Sequence, residues 1–180
     1  MKKTIKTTLL WAVFVILLLC VSFFVLRYLY PKDYSDTVQK YAKQYGIEPE
    51  LVFAIIKCES NFDKYAHSHA DALGLMQITK ETYEWAAKRE KDTDYASNSL
   101  YEPETNVRYG CVIFSILQGE FKDDATALAA YNAGRGRVKN WLSDESISSD
   151  GKTLDTIPFS ETANYVKKVL RTQKIYNLIY

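Results

Sequence analysis

From Leu9 to Leu26 the chain runs for eighteen residues in which only Cys20 and Ser22 are mildly polar. A stretch that long and that apolar has little place on the surface of a soluble globule. A bilayer core of ~30 Å takes about 20 apolar residues when spanned by a helix. Arg27 closes the run and can snorkel to the interface, and Tyr28, Leu29 and Tyr30 follow at the depth where aromatic side chains gather. Lys2, Lys3 and Lys6 precede it, so the positive-inside rule predicts the N-terminus in the cytoplasm and residues 31–180 outside. A cleaved signal peptide would have a shorter apolar stretch and a small-residue cleavage site. A lipoprotein would use Cys20, but Leu17-Leu18-Leu19-Cys20-Val21 lacks the small residues expected around a lipidated cysteine. The expectation is therefore an uncleaved anchor in the cell membrane over residues 1–32, crossing once, and an extracytoplasmic body over 33–180.

Charge separates the two parts. Residues 1–32 hold five basic side chains and no acid, so the formal charge of +1 conceals 18 basic and 22 acidic residues in the body, a net −4. A weakly acidic body argues against a nucleic-acid partner, which demands a basic face. About 150 residues bury enough of their surface to stand as one domain. Cys58 and Cys111 fall outside the membrane, where a disulfide survives. Each also reads as a small buried hydrophobe, and spacing alone leaves the choice open.

Helical periodicity dominates the body. Ser35 is a plausible N-cap for a helix carrying Val38, Tyr41, Ala42 and Tyr45, with Gly46 as its stop. Pro49 opens the next helix, which runs to Glu59 and is apolar on nearly every side, as a central buried helix would be. Residues 60–78 read as loop and turn, a helix follows over 81–89, and 90–101 read as irregular. Pro103 opens a helix to about Phe121. Asp123 or Asp124 caps an alanine-rich helix ending near Gly134, and a short helix covers 137–142. Ser143–Asp155 reads as a polar loop, and Pro158 and Ser160 introduce a last helix to about Tyr180. Strand signals are weak throughout, which predicts a mostly α fold.

Glu59 draws attention on physical grounds. Leu51, Ile55 and Glu59 share one face of the apolar helix, so a carboxyl group ends a largely buried element. Burial and the negative end of the helix dipole both disfavour its charged form and raise its pKa. A carboxyl with a raised pKa suits a general acid for glycosidic cleavage. Taken alone this is weak, because most Glu residues near helix ends are solvated.

The neighbouring residues add a pattern. Glu59-Ser60-Asn61-Phe62, then Ala66-His67-Ser68, then Gly74-Leu75-Met76-Gln77-Ile78 resemble the signature of the SLT-type lytic transglycosylases. Asn106-Val107-Arg108-Tyr109-Gly110, Ala129-Ala130-Tyr131-Asn132-Ala133-Gly134 and Glu161-Thr162-Ala163-Asn164-Tyr165-Val166 resemble three further elements of that family, in order and over roughly residues 35–180. The resemblance implies a lysozyme-like globular domain with a cleft for peptidoglycan glycan strands. It implies cleavage between N-acetylmuramic acid and N-acetylglucosamine without water, by one carboxyl group that acts as acid and then as base, leaving 1,6-anhydromuramoyl ends.

Residue by residue, the resemblance makes Glu59 the acid/base and Tyr131 the tyrosine that points at it. Ser60 would shape the turn behind the acid. Ser68 and Gln77 fall at positions lining the sugar site, and Gly74 would permit a tight turn beneath substrate. Met76 reads as core or cleft wall, with core preferred. Asn132 falls in the same motif as Tyr131 and also reads as a helix-terminating residue. Glu161 and Tyr165 fall at cleft-side positions, although a Glu in a first helical turn also complements the dipole. Three departures concern substrate subsites: His69 and Asp71 stand where relatives carry proline and glycine, Thr79 follows the Gln77-Ile78 pair, and Ala163 replaces a frequent arginine.

Two other functions remain open at this level. A goose-type lysozyme activity would use water, with Asp63, Asp71 and Asp155 as candidate activating carboxylates. A non-catalytic glycan-binding envelope protein would have little use for Glu59 and Tyr131. His67 and His69 lack a third ligand and read as surface residues, so neither a metal nor an organic cofactor is suggested. Protein partners are not legible.

Overall fold

The structure, a computed structural model, describes residues 2–92 and 97–180, excluding the side chains of residues 2–5, 7–9, 97 and 98. Part of the segment expected to be irregular, residues 93–96, lies outside the described residues. In chain order the described helices are α1 (Lys2–Leu29), α2 (Ser35–Tyr45), α3 (Pro49–Glu59), α4 (Lys80–Glu90), α5 (Pro103–Glu120), α6 (Asp124–Ala133), α7 (Arg135–Leu142) and α8 (Ser160–Ile179). A 3-10 turn covers Ser97–Tyr101. The fold is mostly α, with one N-terminal apolar helix.

Local chemistry explains most boundaries. Gly46 takes the left-handed conformation at φ 69° and its N–H closes α2 on the Ala42 carbonyl. Pro49 occupies the first turn of α3, where its missing N–H costs nothing. The Asp123 carboxylate caps α6, accepting from the Thr126 N–H at 3.0 Å and the Thr126 hydroxyl at 2.7 Å. The start of α2 differs from expectation. Tyr34 stands at the N-cap in a left-handed conformation, and Ser35, already helical, accepts from Gln39 Nε2 at 3.1 Å.

The core is built around α3 and α5. Every side chain of α3 from Leu51 to Ile56 is buried, with α2 and α8 packed against it. α5 packs against α2, α4, α6 and the 3-10 turn. Tyr83 and Tyr109 meet edge to face at 4.6 Å, and Phe53 packs between Phe62 and Tyr176.

Residues 60–78 are not wholly loop. β1 (Ala72–Leu73) and β2 (Ile78–Thr79) pair antiparallel, Ala72 opposite Thr79 and Leu73 opposite Ile78. Two residues per strand are too few for alternation to be read. This hairpin is held from outside, by Asn106 of α5 (below). Thr79 then caps α4, its hydroxyl accepting from the Thr82 N–H at 3.3 Å.

α1 is long and apolar enough over Leu10–Leu29 to cross a membrane, and none of that stretch is buried in the protein. Its end is tied to α8. The Tyr180 hydroxyl donates to the Tyr30 carbonyl at 3.0 Å, the Tyr176 hydroxyl donates to the Pro31 carbonyl at 2.8 Å, and Arg27 lies 4.4 Å from the Tyr180 ring centre. The end of the apolar helix and the end of the chain therefore sit together.

Candidate active site

α3 delivers Glu59 to a wall shared by two hollows. The larger, of about 770 Å³, is bounded by the β1–β2 segment, α4, α6 and the start of α8; the smaller lies between the end of α3 and α8. Glu59 is partly accessible from these hollows, yet its carboxyl group is densely surrounded by protein. That burial pushes its pKa up to about 7, against the opposing pull of the Tyr165 hydroxyl and of the Lys168 charge. Burial outweighs both, so a substantial fraction of the group keeps its proton at neutral pH.

Two tyrosines flank it with different roles. The Tyr131 hydroxyl donates to the Met76 carbonyl at 2.7 Å. Its proton is thus committed to the turn, while Tyr131 lines the large cleft together with the acid. The hydroxyl directed at Glu59 belongs to Tyr165 of α8. It is buried and lowers the Glu59 pKa, yet falls short of a completed hydrogen bond with any group among the described residues. Tyr165, expected on the cleft side, is not among the residues lining either hollow at Glu59.

The turn from Leu73 to Gln77 shapes the cleft beside Glu59, and it is an assembly of backbone groups. Asn106 is fully buried and satisfied: its Nδ2 donates to the carbonyls of Leu73 (2.9 Å) and Leu100 (2.8 Å), and its Oδ1 accepts from the Met76 N–H (2.8 Å). Gly74 sits at φ +74°, and a Cβ there would lie 2.3 Å from Asn106 Nδ2 and 2.4 Å from the Leu100 carbonyl. The side chain of Met76 is completely buried against Gly110, so it is core and does not face the cleft. Sequence reasoning quoted Asn106 and Gly110 as motif residues without a role; their role is to seat this turn.

Ser60 donates to the Leu75 carbonyl at 2.8 Å, which pins the turn to the end of α3. Gln77, left-handed at φ 49°, lines the cleft and spends its amide N–H groups on the Gly74 carbonyl (2.9 Å) and the Ala66 carbonyl (3.2 Å). Ser68 also lines the cleft, its hydroxyl accepting from the N–H groups of Ala70 and Ala72 at 3.2 and 3.1 Å. Asp71 adopts φ 56°, a conformation that aspartate tolerates better than most residues. Phe62, at φ 67°, is similarly strained and is held by burial of its ring against Phe53.

Asn132 and Glu161 both line the large cleft and are exposed there. So do Glu81, Thr82 and Trp85 of α4, which sequence reasoning missed. No motif marks them; α4 reads as an ordinary polar helix, and its place in the wall is set by tertiary packing. His67 pairs with Asp71 at 2.9 Å, and His69 lines the cleft. Cys58 and Cys111 are both free thiols, Cys111 fully buried and Cys58 within 3.8 Å of the Thr172 hydroxyl.

Comparison with known proteins sorts this geometry. The transglycosylase SLT domain family matches residues 36–153, about two thirds of the chain. The chain belongs to that family. It is 35% identical over 150 residues to the soluble lytic murein transglycosylase of Salmonella typhimurium, covering 82% of this chain and 23% of that one. It is 32% identical over 170 residues to the membrane-bound lytic murein transglycosylase C of Actinobacillus pleuropneumoniae, covering 81% and 46%. This SLT chain thus spans under half the length of these relatives. Among solved structures, the 70 kDa soluble lytic transglycosylase of Escherichia coli superposes with a TM-score of 0.76 at 32% identity, over 85% of this chain and 25% of that one. An inactive glutamate-to-glutamine mutant of Slt from Pseudomonas aeruginosa superposes with a TM-score of 0.74 at 33% identity, over 83% and 24%. The lysozyme-like fold implied by the motifs is thereby shown.

Proposed function

We propose that residues 33–180 form a lytic transglycosylase domain acting on peptidoglycan outside the cell, with residues 1–32 as its membrane anchor. The observation that carries this is the enclosure of the Glu59 carboxyl group on the wall of the large cleft, where burial pushes its pKa up to about 7. Its proton goes to the glycosidic oxygen as the bond from the muramoyl anomeric carbon breaks, and N-acetylglucosamine leaves as an alcohol. The Glu59 carboxylate then takes the proton of the muramoyl 6-hydroxyl as that oxygen bonds to the anomeric carbon. The carboxyl group ends as it began, and the product carries a 1,6-anhydro ring. An internal nucleophile needs no ordered water and gains the advantage of proximity.

Three findings support this reading. The relatives are soluble and membrane-bound lytic murein transglycosylases, and a glutamate-to-glutamine change leaves the Pseudomonas aeruginosa protein inactive. Asp63, Asp71 and Asp155, the candidate water-activating acids, line neither hollow at Glu59. Asp155 instead accepts from the Ser149 N–H at 2.7 Å. Glu81 and Glu161 do line the large cleft, which keeps hydrolysis as the competing chemistry. Mass spectrometry of purified peptidoglycan digested by the full chain separates the two. Anhydromuramoyl ends are expected; reducing ends would show a lysozyme, and no cleavage would show a binding protein.

A further inference from the structure

The smaller hollow at Glu59, about 580 Å³, is chemically unlike the large cleft. It is lined by Lys57, Lys168 and Arg171, and Glu59 is its one acidic lining residue. Among the described residues none of these three cations lies within 4 Å of a carboxylate. Lys168 reaches the Cys58 carbonyl at 3.5 Å, and the Lys57 ammonium donates to Asn61 and lies 5.6 Å from the Tyr30 ring centre. Burial lowers the Lys57 pKa, and repulsion by Lys168 adds to that effect. Three cations against a single carboxyl group, itself pushed toward its neutral form by burial, favour the entry of an anion.

The position of the hollow says where that anion comes from. Tyr30 lines it, and Tyr30 is the first residue beyond the apolar stretch Leu10–Leu29. Tyr30 is fixed there by its edge-to-face contact with Tyr176 at 5.9 Å and by the bond from Tyr180. The same end of α8 carries Leu178, 79% exposed, and the end of α1 carries Tyr28, 85% exposed, as surfaces meeting lipid would. The hollow therefore reaches from the residue that follows the apolar stretch, past three cations, to the acid.

We propose that this hollow holds the diphosphate of a glycan strand still joined to a membrane lipid, so that the enzyme cuts nascent strands at their bilayer-attached end. The proposal rests on the transglycosylase reading above and names its substrate class. Glu59 protonates the oxygen of the lipid-bearing saccharide, which stays in the membrane, and the released strand closes its anhydro ring by the same proton balance.

The test uses the full chain in neutral phosphatidylcholine vesicles. Its substrates are glycan polymer bearing the lipid diphosphate and lipid-free strands released from sacculi. Arg171, an exposed residue of α8, is changed to Ala and to Lys. A charge-assisted phosphate contact predicts that Arg171→Ala loses about tenfold in kcat/KM on the lipid-linked polymer and less than twofold on lipid-free strands, with Arg171→Lys recovering most of the loss. Equal loss on both substrates would mean the cations serve anions present in every strand, and no loss would mean they serve none; either overturns the proposal. Arg171-dependent inhibition by added phosphatidylglycerol would assign the hollow to ordinary headgroups and overturn it as well. Wild-type protein that cuts neither substrate would instead sink the transglycosylase reading and this inference with it.

Discussion

The buried hydroxyl of Tyr165 is directed at the carboxyl group of Glu59 without completing a hydrogen bond to it. A buried phenol left in that state costs free energy, yet it is poised to donate once the acid has lost its proton. It opposes the effect of burial: the enclosure raises the Glu59 pKa, and the phenol restrains the rise.

Removing that restraint has a predicted sign. Tyr165→Phe should move the alkaline limb of kcat/KM to higher pH, because protonated Glu59 persists further. Stability should change by less than about 1 kcal/mol, since the lost hydroxyl made no good bond. A pH–rate profile and a thermal melt check the two halves.

Tyr131→Phe should behave in the opposite way. It deletes the 2.7 Å bond to the Met76 carbonyl and leaves that group unpaired, at a cost of about 1–3 kcal/mol. The alkaline limb should stay at its wild-type pH, because this phenol gives its proton to the turn and not to the acid. Urea unfolding and the same pH profile distinguish the pair.

Glu59 itself should destabilise the fold at high pH. With a pKa near 7 when folded and 4.5 as the ordinary value, the folded chain binds more protons between those limits. Stability attributable to this group therefore falls as pH rises from about 4.5 to 7. Glu59→Gln should gain on the order of 2–3 kcal/mol at pH 8, nothing at pH 4, and should cleave no peptidoglycan. Denaturant titrations at the two pH values measure the difference.

Gly74 and Gly119 make a paired test of the turn. Gly74→Ala places a Cβ against Asn106 and the Leu100 carbonyl at a positive φ, and should cost more than about 3 kcal/mol and abolish cleavage. Gly119→Ala, in open space on α5, should be neutral or stabilise by about 0.5–1 kcal/mol. Melting temperatures of both variants check this.

What could be read from the sequence was what is local. Gly46, Pro49 and Asp123 act through their own backbone and side-chain chemistry, so the helix boundaries they set were legible. Glu59 stood out because the helix before it is apolar on nearly every side. The β1–β2 hairpin was not legible, since it depends on Asn106, some thirty residues away, and its strands are too short to alternate. The destination of the Tyr131 proton depends on where the Met76 carbonyl lies, which no spacing encodes. Glu81, Thr82 and Trp85 enter the cleft wall only because α4 packs on α5.

The account depends most on the protonation of one side chain. Carbon-13 labelling of glutamate and NMR titration of the full chain in detergent, with Glu59→Gln used to assign the resonance, measures it directly. A midpoint near pH 7 is the predicted result, moving higher in Tyr165→Phe. A midpoint near 4.5, that of a solvated glutamate, would contradict the proposed mechanism.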